Sequence, residues 1–217
     1  MEAIKPVWDY SDLLEEAKDR IEEKLYLEGE IKMIATNEIK LVIGSWGSYN
    51  ECNERALGSK WLNLADYDSW EEIEEELRSE GFELDGMDEE LFIQDIDNFP
   101  SDGERWDYIH PEWLFNLLKE ADVLTNSYKY DVLMAFLEIR SLNEFKDLVE
   151  RYGSSWDDDI ILYRNYDWED FGREMFENMG YQIPEDLLNY FDFKAYGESF
   201  QYDDIHEYSD GLIEILR

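Results

Sequence analysis

The sequence predicts an α+β protein: an elongated multi-lobe chain in which small α/β lobes flank a helical middle section. Three observations carry this. Amphipathic helical patterns alternate with short apolar runs such as IKLVIG, LFIQDI and LIEIL, at both ends of the chain. The 217 residues are 44% hydrophobic and 16% aromatic, with only 4 Pro and 12 Gly, so a core can form despite the acidity. The formal net charge is −37, and like charge on that scale favours small lobes spread along an extended body over one compact ball.

Residues 1–38 read as an N-terminal extension, a helix followed by a short apolar run. Asp12 and Glu15 have capping-box spacing, Leu14, Ala17, Ile21 and Leu25 form an apolar stripe, and IKMIA closes the segment. Residues 39–100 read as the first α/β lobe. Ile39–Gly44 is a strand, Gly44 and Gly47 flank a turn, and Tyr49-Asn50-Glu51 continues as loop. Ser69 and Glu72 open a second capping box before the helix SWEEIEEELRSEG, which Gly81 stops. Leu91–Ile96 is the next strand.

Residues 101–152 are the helical middle lobe. Pro111 suits a first helical position, and Trp113, Leu114, Leu117 and Leu118 follow at helical spacing. A second helix runs near Tyr128–Ile139, and a third opens at Ser141 with Glu144 three residues on. Residues 153–217 form the C-terminal α/β lobe. It has a strand at Ile160–Tyr163, a helix near Asp167–Met179 ending at Gly180, a short helix from Pro184, and a closing strand at Leu212–Leu216. His206 falls in an acidic loop.

Composition narrows the partner. The single cysteine, Cys52, excludes an internal disulfide framework and suits a reducing cytoplasm. The acidic start has no apolar h-region, and no stretch approaches 18 consecutive apolar residues. Fifty-six carboxylates against 19 Lys and Arg would repel nucleic acid and anionic membranes alike, so the expected partner is a basic protein. Duplex DNA carries one charge per roughly 1.7 Å of axis, so 37 charges match about 60 Å of duplex. The leading expectation is that the surface presents carboxylates where a DNA-binding protein expects phosphates.

The helix at 69–80 shows the pattern best. Trp70, Ile73 and Leu77 define its buried stripe, Glu71, Glu72 and Glu75 point away from it, and Glu74 and Glu76 flank it. Like charges four apart are mildly destabilising, and Arg78 is the helix's one cation. The bias recurs at Asp85, Asp88, Glu89 and Glu90, at Asp157, Asp158 and Asp159, at Asp167, Glu169 and Asp170, and at Glu174 and Glu177. These seventeen carboxylates are the candidate mimic residues. An ordinary solvated helix face explains any one cluster; the repetition favours mimicry.

Catalytic patterns are weak. His110 and His206 read as surface residues, no nucleophile-elbow motif supports a serine hydrolase, and Cys52 has only Arg55 as a cationic neighbour. Glu144-Phe145-Lys146 could be drawn into a nuclease motif, but it sits on a helix where Phe145 packs. Asp157-Asp158-Asp159 lacks the glycine of a calcium loop, and there is no phosphate-binding glycine loop or basic patch. No catalytic residue, metal or cofactor is expected.

Three ordered patches resemble the ArdA-type antirestriction proteins of plasmids, conjugative transposons and phages. IGSWGSYNECNERALGSKWLNL, residues 43–64, is similar to the family's opening strand and turn, through Tyr49, Asn50, Glu51, Gly58 and Trp61. LMAFLEIRSLNEFKDLVE, residues 133–150, resembles the family's helical antirestriction segment. NYFDFKAYGESF, residues 189–200, places Tyr190, Asp192, Ala195, Tyr196 and Gly197 at family positions, and DGLIEIL resembles its final strand. Departures include Cys52 where the family tends to have Gly, Glu198 for a usual Arg and Asp210 for a common His. Residues 1–38 have no counterpart in the typical member.

The resemblance implies an elongated cytoplasmic homodimer of three-lobed subunits whose charge follows bent B-form DNA. It implies occupation of the DNA groove in the methyltransferase core of a Type I restriction–modification enzyme. Two other readings stay open at this point: a mimic aimed at another DNA-targeting defence such as a CRISPR effector, and a metal-dependent hydrolase with an acidic site.

Overall fold

The computed structural model describes residues 38–100, 106–202 and 204–216, and these fall in one compact unit, Asn37–Arg217. The helix and apolar run expected in residues 1–38 lie outside the described residues, save Glu38. The α+β expectation holds: two three-stranded antiparallel sheets stand among separate helices.

The first sheet has the order β2-β1-β3, with β1 at Lys40–Ser45, β2 at Leu62–Asn63 and β3 at Leu91–Asp97. Alternation along β1 sends Leu41 and Ile43 to the main core with Leu91 and Ile93 of β3. A register shift between Val42 and Ile43 marks a bulge. The opposite face carries Phe92, on which Trp46 stacks with ring centroids 4.3 Å apart.

The segment after β1 corrects the sequence reading. Gly44 and Gly47 do not bracket a turn that leads into a loop; a helix, α1, begins at once and spans Trp46–Glu51, so Tyr49, Asn50 and Glu51 are helical. Ser45 is the cap, accepting the Ser48 N–H at 3.0 Å. Gly47 is needed because a Cβ there would run into the backbone carbonyl of Met87. Helix α1 therefore lies directly on the 83–90 loop.

Helix α2, Trp70–Ser79, buries Trp70, Ile73 and Leu77 as its spacing predicts. Its start differs from the expected capping box. Ser69 makes no side-chain cap, and Glu72 instead accepts the Asp68 N–H at 2.7 Å. The capping box at Ser141 is present as expected. It opens α5, Leu142–Tyr152, which follows α3, Pro111–Glu120, and α4, Ser127–Ile139. Trp156 is buried among these helices, donating its indole N–H to the Ala121 carbonyl at 3.0 Å.

The second sheet, β4-β6-β5, comprises Ile160–Arg164, Gly211–Ile215 and Ile205–Tyr208. Strand β5 is a further correction. His206 lies on it, paired in register with Ile213, not in a loop. One face of this sheet sends Ile160, Ile213 and Ile215 into the same buried cluster as the first sheet and the middle helices. The other face packs Ile205 and Leu212 against Trp168 and Phe171 of α6, Trp168–Asn178. Helices α7, Glu185–Leu188, and α8, Phe193–Glu198, complete the chain's C-terminal part. Gly197 lets α8 approach α6 closely, since a Cβ there would meet the Trp168 carbonyl.

Candidate functional site

The candidate site is the acidic surface, and the elements decide which carboxylates reach it. On α2, burial of the Trp70–Ile73–Leu77 stripe turns Glu71, Glu72 and Glu75 outward, all exposed. Hydrogen bonds from its own backbone N–H and from Ser69 lower the pKa of the Glu71 carboxyl. Glu74 and Glu76 are half-buried flanks with partners. Arg78 lies 3.1 Å from Glu74, and Lys60, arriving from the strand side, pairs with Glu76. The Lys60 hydrogen bond lowers the Glu76 pKa and raises that of Lys60.

The 83–90 loop divides its acids sharply. Asp85, Glu89 and Glu90 are exposed. Asp88 is fully buried, which removes it from any surface charge pattern and corrects the sequence reading. Its carboxylate accepts hydrogen bonds from the hydroxyls of Ser45 and Ser48 and from the Glu83 N–H at 2.8 Å, and Arg55 lies 3.3 Å away. Burial pushes the carboxyl up, but these donors outweigh it and hold the pKa below the ordinary aspartate value. Asp88 is a structural lock that ties α1 to the loop. Sequence inspection gave no local sign of it, because its cation is 33 positions away and its neighbours are also acidic.

In the C-terminal part, Asp158 is exposed, and Asp157 lies 3.6 Å from Lys129. Asp159 is half-buried. Asp167 caps α6 by accepting the N–H groups of Glu169 and Asp170 at 2.8 and 2.9 Å, which fixes the start of that helix. Glu169 pairs with Arg173 at 2.6 Å, Glu174 is hydrogen-bonded to Tyr166, and Asp170 and Glu177 are exposed. The two helices therefore repeat one arrangement: an apolar stripe inward, charge outward, and one cation in the helix matched to a carboxylate four residues earlier.

The family-motif positions split by role. Tyr49, Asn50, Glu51, Trp61 and Tyr190 are exposed. Gly58 has φ +79°, a conformation that favours glycine. Asp192 caps α8 through the Ala195 N–H at 2.9 Å, Tyr196 packs on Phe176, Phe191 and Phe200, and Gly197 provides the close helix contact.

Cations offer little relief to this field. Lys40, Arg55, Lys60, Arg78, Lys129, Lys146, Arg164, Arg173 and Lys194 all stand in ion pairs. Among the described residues, no group of three His, Cys, Asp or Glu side chains could hold a metal ion. No helix among them is long and apolar enough to cross a membrane.

The fold and the site define an α+β scaffold with outward carboxylates repeated over separate helices and loops, most of its described cations standing in ion pairs. The chain belongs to the ArdA family: the family model described as antirestriction protein (ArdA) matches residues 41–214. No curated protein matches the chain. The family is one of non-enzymatic antirestriction proteins, and its general class of partner is the restriction–modification enzyme.

Proposed function

We propose that this protein imitates B-form DNA and excludes DNA from the binding groove of a Type I restriction–modification enzyme, working as a homodimer in the bacterial cytoplasm. The observation that carries the reading is the set of exposed carboxylates on α2, the 83–90 loop and α6. They sit on elements whose opposite faces are buried, so their positions are fixed. A fixed array of charge can stand in for a phosphate backbone in a way that a disordered acidic tail cannot. Carboxylates pair with the Lys and Arg lining the enzyme's DNA channel, and counterions are released as they are by DNA. Charge sets the on-rate and much of the affinity; the layout of the charge selects the enzyme.

Competitive exclusion needs no chemical step from the protein. Reversing Glu71, Glu72 and Glu75 to Lys replaces three outward negative charges by three positive ones without touching the buried stripe of α2. Because Glu71 and Glu72 also hold the start of α2, the triple variant is expected to melt several degrees lower but to remain folded, and to inhibit DNA cleavage by a Type I enzyme at least about tenfold less well at physiological salt. Undiminished inhibition by a folded variant would take α2 out of the contact surface.

A further inference from the structure

Helix α1 acts as a mould for the 83–90 loop. The Trp46 N–H donates to the Glu90 carbonyl at 3.0 Å and fixes the loop's far end. The Glu83 N–H donates to the Asp88 carboxylate at 2.8 Å and fixes its near end. Between them Gly47 packs on the Met87 carbonyl, where a Cβ would collide. Ser45 and Ser48 donate their hydroxyls to Asp88 from the first turn of the helix. Asn53 completes the seam, donating its amide to Ser48 Oγ at 3.0 Å and to Met87 Sδ at 3.3 Å. The N–H groups of Gly86 and Asp88 both donate to the Glu83 carbonyl, which closes the loop on itself. A loop pinned in this way presents Asp85, Glu89 and Glu90 to solvent in a fixed arrangement.

Arg55 closes the network. It stands on the turn Glu54–Leu57, whose start Asn53 caps by accepting the Arg55 N–H at 2.9 Å. Its Nε lies 3.3 Å from the Asp88 carboxylate. Its Nη1 lies 3.7 Å from where a Cβ on Gly81 would stand, beside the chain that leads from α2 into the loop. Asp88 is fully buried, so the guanidinium balances a charge that water does not reach. Without that balance, the cost of burying the carboxylate is relieved by lifting Asp88 toward water. Lifting it carries Met87, Glu89 and Glu90 along. An acid on a loosened loop has to be ordered on binding, and the ordering subtracts from affinity.

We propose that Arg55, acting through Asp88, is a positioning residue of the mimic surface. It is a cation that raises affinity for a basic groove, because it sets Asp85, Glu89 and Glu90 in place. The proposal rests on the DNA-mimic reading and adds to it a part that charge alone does not supply. Charge counting gives the opposite sign. Arg55→Gln makes the chain one charge more acidic, so by long-range attraction alone the variant would bind a basic groove more tightly. Positioning makes it bind less tightly.

The test measures affinity of the full-length protein for a purified Type I methyltransferase core, by competition with labelled DNA at about 150 mM salt. It compares wild type, Arg55→Gln, the loop variant Asp85→Asn/Glu89→Gln/Glu90→Gln, and the two combined. A thermal melt establishes that each is folded. Ser48→Ala, which removes one donor to Asp88 and leaves the net charge unchanged, replaces Arg55→Gln if that variant does not fold. The expected result is a loss of about threefold or more for Arg55→Gln and of about tenfold for the loop variant. The combined variant should be weaker than the loop variant by less than about twofold, because Arg55 has no loop acids left to place. Losses that multiply in the combined variant overturn the proposal, since Arg55 would then act elsewhere. So does affinity at or above that of wild type in a folded Arg55→Gln. Wild-type affinity in the loop variant overturns it as well, and leaves the DNA-mimic reading to α2 and α6. Failure of wild type itself to bind the enzyme refutes the DNA-mimic reading and this proposal with it.

Discussion

The loops at 83–90 and 179–191 are built on opposite principles. The first is pinned from below by a buried carboxylate, Asp88, which gathers two serine hydroxyls, a backbone N–H and Arg55. The second is pinned by aromatic rings meeting at Phe176. What each shows to solvent is the reverse of what holds it. The polar lock presents acids, Asp85, Glu89 and Glu90; the aromatic lock presents leucine and tyrosine. The comparison teaches that residue type in this chain does not report location. An acidic residue can be the anchor and an apolar one the exposed group.

Breaking each lock gives the largest effects. Asp88→Ala leaves two serine hydroxyls, an N–H and a guanidinium without their acceptor. Loss of one partner of a buried charged group costs about 3–5 kcal/mol, so chemical denaturation should show a drop of that size, with α1 loosened first. Phe176→Ala removes the ring on which both ends of the second loop rest. It should cost about 3 kcal/mol, the lower end for phenylalanine truncation because Phe176 is not fully enclosed.

A smaller effect, but one specific to the polar lock, is its pH dependence. The folded-state pKa of Asp88 is depressed, so its stabilisation is complete above the unfolded value of about 3.9 and is lost as pH falls through the lower folded value. The melting-temperature gap between wild type and Asp88→Asn should be constant from pH 7 to about pH 5 and narrow below about pH 4. Phe176→Ala should show no such narrowing. A gap for Asp88→Asn that stays constant down to pH 3 would mean that the carboxylate's charge is not what the lock uses.

Much of the fold was legible because local signals agreed with the tertiary outcome. Trp70, Ile73 and Leu77 declared a buried stripe, Ser141 and Glu144 a capping box, and Pro111 a helix start, and each stands as read. Errors arose where a local pattern had two solutions. Two glycines around Ser45 and Trp46 resembled a turn, yet Ser45 used its hydroxyl to cap a helix, and Gly47 served close packing on Met87. Ile205–Tyr208 is four residues long with one fully buried side chain, too short for alternation to show; pairing with β6 makes it a strand.

The site was legible in bulk and not in detail. Spacing on α2 assigned Glu71, Glu72 and Glu75 outward correctly. It could not tell Asp88 from Asp85, because the difference lies in Ser45, Ser48 and Arg55, which only the tertiary fold brings near. Nor could it foresee that Lys60 would pair with Glu76 from outside the helix.

The central claim is that the exposed carboxylates occupy the place of DNA phosphates. The most direct measurement is the affinity of the wild-type protein for a Type I methyltransferase core, by competition with labelled DNA, over a salt series from about 50 to 200 mM. The logarithm of affinity should fall linearly with the logarithm of salt, by tenfold or more across that range, while one homodimer displaces one DNA. An affinity that stays level across the series, or binding that leaves DNA in place, would contradict it.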